Sequence, residues 1–441
     1  MAGIEQNRYV VGLDIGTTKI CAIAGVRNEF GKLEIIGMGH AISEGVIRGM
    51  VTNINATEVA IRKAIQMASA SHDPELVIQN VNVGIAGQHI KSSIQHGVLI
   101  RQEVESEISP KDTLQMETDM YRSVMPHGQE IIHVMPQTYA VDGEDNVMDP
   151  VGYSGVRLEA DFHVITAQTN AIKNIHKSVQ KAGLEIKELI LEPIASSMSV
   201  LSQEEKEAGV VLVDIGGGTT DIAIFYNNIL RHTAVIPFGG RIITSDIKDG
   251  CNIMEKYAEA LKVQYGSSMA ALVNPQSVLS IRTLKDRPPK EVSLKNLAHI
   301  IEARMTEIVE MVMMEIHHSG YADKMAAGLV VTGGGALLQN VKQFFELHSG
   351  YDTRIGFPNE HLGKCRFDMV KSPIYSTAIG LVLSGFYSID DRKNQHAQLI
   401  ETGTTARKEK QRWNFPGLNM RAISDKFKDM LTDDLDDSVH Y

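Results

Sequence analysis

The sequence predicts an α/β protein of two duplicated lobes, with an α+β subdomain inserted into the first and an amphipathic helix at the C-terminal end. Three observations carry that prediction. One local plan of strand, turn, strand, turn, strand and helix occurs near the start and again after residue 209. Both copies place the same tripeptide at the first turn, Asp14-Ile15-Gly16 and Asp214-Ile215-Gly216. The chain between the copies holds strand-like and helix-like segments of its own, too much structure for a connecting loop.

In the first copy, residues 9–13, 19–26 and 32–38 read as strands, the last two joined across the turn composition Asn28-Glu29-Phe30-Gly31. A helix is expected over 56–70, where Val59, Ala60, Lys63, Ala64 and Met67 recur at helical spacing. In the second copy the strands are 210–213, 221–225 and 229–236, the last two joined at Asn227-Asn228, and a helix begins near Arg241. The intervening region, 85–163, has strands at 89–100 and 131–141 around an acidic, helix-prone stretch at 109–124. Further on, Met305, Ile308, Val309, Val312 and Ile316 have the spacing of a buried helix face. From Asp390 to Arg412 apolar periodicity fades, and the segment reads as a linker.

Composition narrows the function. A chain of 441 residues with 43% apolar and 22% charged residues is ordinary globular material for two to four domains. Its formal net charge of −11, with no basic stripe, argues against nucleic acid as a partner, since phosphate-backbone binding needs a basic surface. Cys21, Cys251 and Cys365 lack metal-ligand spacing and favour a reducing compartment. With no signal-like start and no run of about 18 apolar residues, neither secretion nor a membrane span is expected.

The two Asp-Ile-Gly turns continue as Thr17-Thr18-Lys19 and as Gly217-Gly218-Thr219-Thr220. A glycine-rich turn between strands can aim successive backbone N–H groups at a phosphate, and threonine hydroxyls add donors. An aspartate at the preceding strand end can hold Mg²⁺ through its water shell. One such turn alone is as readily a plain hairpin; the matched pair points to a polyphosphate clamp. A third glycine turn, Gly333-Gly334-Gly335, follows an apolar strand and could let a nucleoside lie against bare backbone, or could serve packing alone. The P-loop pattern is absent, as is a convincing dinucleotide fingerprint. Small residues at Ala195, Ala378 and Gly380 would let two helices cross closely. His127, His133, His163 and the pair His317-His318 form no ligand set and read as structural.

Five segments in order, around Asp14, Glu192-Pro193, Asp214, Gly333 and Ala378, resemble the phosphate-1, connect-1, phosphate-2, adenosine and connect-2 motifs of the actin, DnaK-type chaperone and sugar-kinase superfamily. Within it the chain resembles the bacterial FtsA family. The position of the insertion, the stretch Gly239-Gly240-Arg241-Ile242-Ile243-Thr244-Ser245-Asp246-Ile247 and the terminal segment favour that family. The resemblance implies actin-like (ribonuclease-H-like) lobes that bind ATP and Mg²⁺. Asp14 and Asp214 would sit near the metal. Gly16, Thr17, Thr18 and Lys19 would meet the phosphates from one lobe, and Gly216, Gly217, Gly218 and Thr219 from the other. Glu259 and Lys262 match the nucleoside-contacting pair, although i, i+3 spacing fits a solvated ion pair equally well.

The resemblance further implies polymerisation into protofilaments, binding of the FtsZ tail by the second lobe's outer subdomain, attachment to the inner membrane face at the division site, and recruitment of later division proteins. On this reading the first lobe is 1–84 and 164–206, with 370–390 packing back on it; 85–163 is the insertion called 1C. The second lobe is 207–250 and 305–369, its outer subdomain 251–304; the linker is 391–416 and the tail 417–441. Hydrolysis of ATP would be slow, because no general base for the attacking water is evident.

In the tail, Met420, Ile423, Phe427, Met430 and Leu431 share one helical face, the geometry of a helix lying in a membrane interface. Trp413 and Phe415 could sit at headgroup depth. The polar side is acidic, with Asp425, Asp429, Asp433, Asp434, Asp436 and Asp437 against Arg421, Lys426 and Lys428, so an anionic leaflet would repel it. The same face could instead pack on the protein's own lobe or on a partner. Two other functions use the same lobes: a PilM-like adaptor of a membrane assembly, and a small-molecule kinase, for which no sugar-binding signature is seen.

Overall fold

The computed structural model describes residues 9–72, 74–102, 106–281 and 288–401, with 391–401 as backbone only. Residues 9–92 and 167–395 form one compact unit, and residues 93–166 belong to a second.

The chain opens with β1 (Val10–Ile15), β2 (Lys19–Arg27) and β3 (Leu33–Ile42), then the short ladder β4 (Val46–Ile47) and β5 (Met50–Val51), helix α1 (Ile54–Ala70) and β6 (Asn80–Ile85). It passes through β7 (Ile90–Ile100), α2 (Pro110–Tyr121), β8 (Gln129–Val141), β9 (Glu144–Val147) and β10 (Arg157–Gln168). It returns as α3 (Thr169–Lys181), β11 (Glu185–Leu191), α4 (Glu192–Val200) and α5 (Gln203–Ala208). The second lobe follows: β12 (Val210–Ile215), β13 (Thr220–Tyr226), β14 (Ile229–Ile236), α6 (Gly240–Cys251), α7 (Glu255–Tyr265), β15 (Val278–Ile281), β16 (Lys290–Ser293), α8 (Leu294–His318), β17 (Leu329–Thr332), α9 (Val341–Ser349) and β18 (Thr353–Ile355). The last element is α10 (Ser376–Glu401).

The two lobes have one sheet topology. In the first the order is β11-β6-β1-β2-β3, and in the second β14-β13-β12-β17-β18. In each, the first three strands form an antiparallel meander, and two parallel strands extend the sheet from the first of them. The central strands β1 and β12 are buried along their whole length, so they read as continuous apolar runs broken only by the aspartate near each C-terminal end.

Asn53 caps α1, its side chain accepting from the amides of Asn55 and Ala56. The buried face of that helix is Thr57, Ala60, Ile61, Ala64 and Ala68. Val59 is 63% exposed and Met67 42%, which corrects the face expected from their spacing. β3 approaches so closely that a Cβ on Gly39 would stand 2.0 Å from the Ala64 carbonyl oxygen, so small residues line the contact and bulky ones turn out. α8 buries Met305, Ile308, Val309, Val312 and Ile316 in the second lobe's core, as their periodicity predicts.

α10 covers the other face of the first sheet, with Ala378, Ile379 and Val382 among Val10, Cys21 and Ile23. It continues to Glu401, which corrects the expected start of the linker at 391: no Gly or Pro interrupts the chain between Gly385 and Gly403, so nothing ends the helix earlier. Residues 402–441, and with them Ile423, Phe427, Met430 and Leu431, lie outside the described residues. No helix among the described residues is long and apolar enough to cross a membrane.

The second unit is a four-stranded sheet, β7-β10-β8-β9, with α2 packed on one face through Met116 and Met120 against Phe162 and its neighbours. Pro110 begins α2 behind a capping box of Ser109 and Asp112.

Candidate functional site

Both Asp-Ile-Gly turns open onto one cleft of about 340 Å³ within the first unit. The pairing of β1 with β2 ends at Ile15 and Ile20, that of β12 with β13 at Ile215 and Thr220, so each turn is a tight connection at the end of a buried hairpin. The second is closed by a bond from the Gly216 amide to the Thr219 carbonyl at 2.9 Å. The amides of Gly240 and Arg241, at the start of α6, donate to the carbonyls of Gly216 and Gly217 at 2.9 and 2.7 Å. Those carbonyls are thereby held away from the cleft.

The turns meet tip to tip. A Cβ on Gly217 would stand 2.3 Å from Thr18 Oγ1, and one on Gly218 2.4 Å from Thr17 Oγ1. Thr17 also accepts from the Gly49 amide at 3.1 Å, which anchors the first turn to the loop between β4 and β5. Lys19 lines the cleft, donates to the Ile374 carbonyl at 2.8 Å and lies 4.0 Å over the Tyr375 ring, tying the first turn to the approach of α10.

Carboxylates form the floor. Asp14 and Asp214 are each 7% exposed. Ser196 Oγ donates to Asp214 at 2.6 Å and Thr377 Oγ1 at 3.3 Å, so α4 and α10 both end their crossing on this carboxylate. Burial pushes the Asp14 carboxyl up to about 6, with Lys19 opposing the shift and Asp214 adding to it. Burial likewise raises Asp214, against the two hydroxyl bonds.

Two further acids line the same cleft, and sequence reading gave neither a role. Glu192, the first residue of α4, packs over Gly84, and burial together with Asp14, Asp221 and Asp214 raises its carboxyl well above the ordinary range. Asp221 is held by Thr219 Oγ1 at 2.9 Å through one oxygen, while its other oxygen is buried without a hydrogen-bond partner. Burial, then Asp214, pushes it up to about 8. The signal for Asp221 was present in the second copy's Thr219-Thr220-Asp221, where the first copy has Lys19-Ile20-Cys21.

The third glycine turn closes the cleft's second-lobe side. Gly333 has φ +81°, and a Cβ there would fall 2.3 Å from Asp214 Oδ1. Gly334 and Gly335 line the wall beside Leu337 and Leu338. Opposite, Lys262 donates to Glu259 Oε2, Thr244 Oγ1 and the Gly240 carbonyl, each at 2.8 Å. Thr244 also bonds Glu259, so the i, i+3 pair is embedded between α6 and α7. Asp14, Gly16 to Lys19, Asp214, Gly216 to Thr219, Glu259, Lys262 and Gly333 to Gly335 all line this one cavity. The helix crossing is as close as its small residues imply, since a Cβ on Gly380 would lie 1.8 Å from the Ala195 carbonyl oxygen.

The arrangement can do one thing well: grip an extended anion whose charge a cation offsets. Backbone amides and hydroxyls converge at the tips, and five carboxylates against two lysines line the cleft. Such a donor set of hard oxygens suits Mg²⁺. No set of three or more His, Cys, Asp or Glu groups among the described residues could hold a metal by itself.

Comparison with known proteins follows the same lines. The family model described as Cell division protein FtsA matches residues 211–380, that of the SHS2 domain inserted in FTSA matches 87–166, and that of Hsp70 protein matches 162–228. A cell division protein FtsA from Pseudomonas aeruginosa is 39% identical over 391 residues, covering 89% of this chain and 92% of the relative. Another, from Escherichia coli K12, is 35% identical over 413 residues, with 92% and 96% covered. Among solved structures, a PilM-PilN type IV pilus biogenesis complex superposes with a TM-score of 0.61 at 15% identity, covering 85% of this chain and 98% of that one.

Proposed function

The chain belongs to the FtsA family of cell division proteins, and from that premise we propose that it is an ATP-binding, actin-like adaptor that polymerises and tethers FtsZ filaments to the cytoplasmic membrane. One observation carries the reading: two matched phosphate turns from duplicated lobes meet over a floor of buried carboxylates. In the proposed complex Gly16 to Lys19 and Gly216 to Thr219 hold the phosphates, Glu259 and Lys262 hold the nucleoside, and Gly333 to Gly335 present bare backbone to it. Asp14 and Asp214 would hold Mg²⁺, and the ion would supply charge neutralisation for the phosphates.

Slow hydrolysis fits the electrostatics. Glu192 and Asp221 are the acids nearest in character to a general base, yet burial and the neighbouring aspartates raise both carboxyls, which disfavours the ionised form that accepts a proton. The cleft is then better suited to holding nucleotide as a latch on assembly than to rapid turnover. The outer subdomain, 251–304, offers the surface for the FtsZ tail, and residues 417–441 supply the membrane foot, weak singly and firm when many are linked on one filament. Family membership sets aside the small-molecule kinase, and the PilM-like reading rests on a likeness of fold at 15% identity.

The test is recruitment. Purified chain, liposomes and FtsZ are sedimented together with Mg-ATP. FtsZ enters the liposome pellet only when the chain is present, and removal of the FtsZ tail abolishes it. FtsZ remaining in the supernatant, with the chain itself on the membrane, would overturn the tethering role.

A further inference from the structure

The aspartates of the two matched turns are equivalent in sequence and unequal in structure. Asp14, near the end of β1, and Asp214, near the end of β12, are both buried and both line the cleft. No side chain among the described residues donates a hydrogen bond to Asp14. Asp214 takes two hydroxyls on a single oxygen: the Ser196 and Thr377 bonds both end on Oδ2. Its other oxygen, Oδ1, lies beside the bare backbone of Gly333 in the cleft lining.

The hydrogens can be followed one by one, because each hydroxyl has only one to give. Ser196 gives its hydrogen to Asp214, so in the 3.0 Å contact between Ser196 and Thr377 the threonine is the donor. Thr377 thus shares its hydrogen between Ser196 Oγ and Asp214 Oδ2. The two donors come from the two crossing helices, Ser196 from α4 and Thr377 from α10. Ser199 Oγ straps them together, lying 2.9 Å from the Ser196 carbonyl oxygen and 2.8 Å from that of Ser376. Ser376 Oγ in turn meets Thr332 Oγ1 at 2.7 Å, and Thr332 stands opposite Asp214 in the pairing of β12 with β17. All five hydroxyl residues are 9% exposed or less, and a low local dielectric strengthens such bonds. Packing alone asks for no hydroxyl here: Ala195 and Ala378, the chain neighbours of Ser196 and Thr377, are fully buried at the same crossing.

We infer that Ser196 and Thr377 are positioning residues for the cation site, tying one oxygen of Asp214 to the helix crossing and fixing the plane of its carboxylate for the ion. The inference rests on reading the cleft as a site for nucleotide and Mg²⁺. Groups that hold a ligand's far side set metal affinity without touching the metal, because they orient the ligand before the ion arrives. Asp14, with no such donor, must give up rotational freedom when a cation binds. Asp214 is already held. Because α4 belongs to the first lobe and Asp214 to the second, the same two bonds make cation affinity depend on how the lobes meet at the crossing.

Titration calorimetry of ATP into the full-length chain, once with Mg²⁺ and once with EDTA, gives the factor by which the cation strengthens nucleotide binding. Thr377→Val keeps the shape and loses the hydroxyl, and Ser196→Ala removes the other donor; each should cut that factor by about tenfold. Thr377→Ser keeps a hydroxyl and restores the factor. In an Asp214→Asn background Thr377→Val makes no further difference, since its effect passes through that carboxylate. Circular dichroism and the urea midpoint report folding for every variant. A factor that both single variants leave unchanged, a loss of affinity equal with and without the cation, a loss that Thr377→Ser does not recover, or an effect of Thr377→Val that persists beside Asp214→Asn would overturn the positioning role. A parent chain that binds no ATP in either buffer would overturn the nucleotide reading itself, and the two failures are thereby told apart.

Discussion

Asp221 concentrates what the residue scale adds. In an unfolded chain its carboxyl and that of Asp14 ionise near pH 4. In the fold, burial moves them to about 8 and about 6. Between those limits the folded state keeps protons that the unfolded state has released, so the nucleotide-free protein loses stability as pH rises from about 4 to about 8. Asp221→Asn removes the larger share of that penalty. The gain in thermal midpoint over the parent should be greater at pH 8 than at pH 5, and a gain independent of pH would contradict the buried, proton-holding carboxyl. The two aspartates of the Asp-Ile-Gly turns were legible in the sequence because a repeated motif marks them. Asp221 and Glu192 were not, because their character comes from burial and then from acids that the fold brings alongside, Asp214 beside Asp221, and Asp14, Asp221 and Asp214 beside Glu192.

The element scale turns on the crossing of α4 and α10. Ala195, Ala378 and Gly380 marked it in the sequence, since only small residues allow such an approach. What they could not show is that the crossing ends on the cleft floor, where Ser196 and Thr377 both donate to Asp214. Gly380→Ala places a methyl group against the Ala195 carbonyl and should destabilise the full-length protein by about 1–3 kcal/mol, measured by urea unfolding with circular dichroism. An unchanged midpoint would contradict the close crossing. Helix α1 shows the opposite case: its existence was plain from periodicity, but its face was not. Alanines at 60, 64 and 68 serve the core as well as larger residues where a strand runs this near, and a hydrophobicity count favours Val59 and Met67 instead. The helical stretch of α10 beyond residue 390 was obscured likewise, because its polar residues carry a helix's propensity without its apolar period.

At the scale of the whole molecule, the duplication was the most legible feature, and both lobes return the same strand order. Burial in sheets leaves apolar runs that a single sequence displays, whereas the meeting of two turns across the cleft depends on how the lobes pack. In the tail, Met420, Ile423, Phe427, Met430 and Leu431 share one apolar helical face. Deleting 417–441 should abolish co-sedimentation with liposomes while leaving Mg-ATP affinity unchanged; retained sedimentation would contradict the membrane foot. With a net charge of −11, the intact protein should bind anionic liposomes more weakly at low salt than at moderate salt, the reverse of a basic tail. If the two turns form one nucleotide clamp, titration calorimetry of Mg-ATP into the full-length chain reads it out. Binding should be saturable and weakened about tenfold or more by Gly218→Ala, which drives a methyl group into Thr17 where the lobes meet. Absence of binding, or binding that Gly218→Ala leaves unchanged, would contradict it.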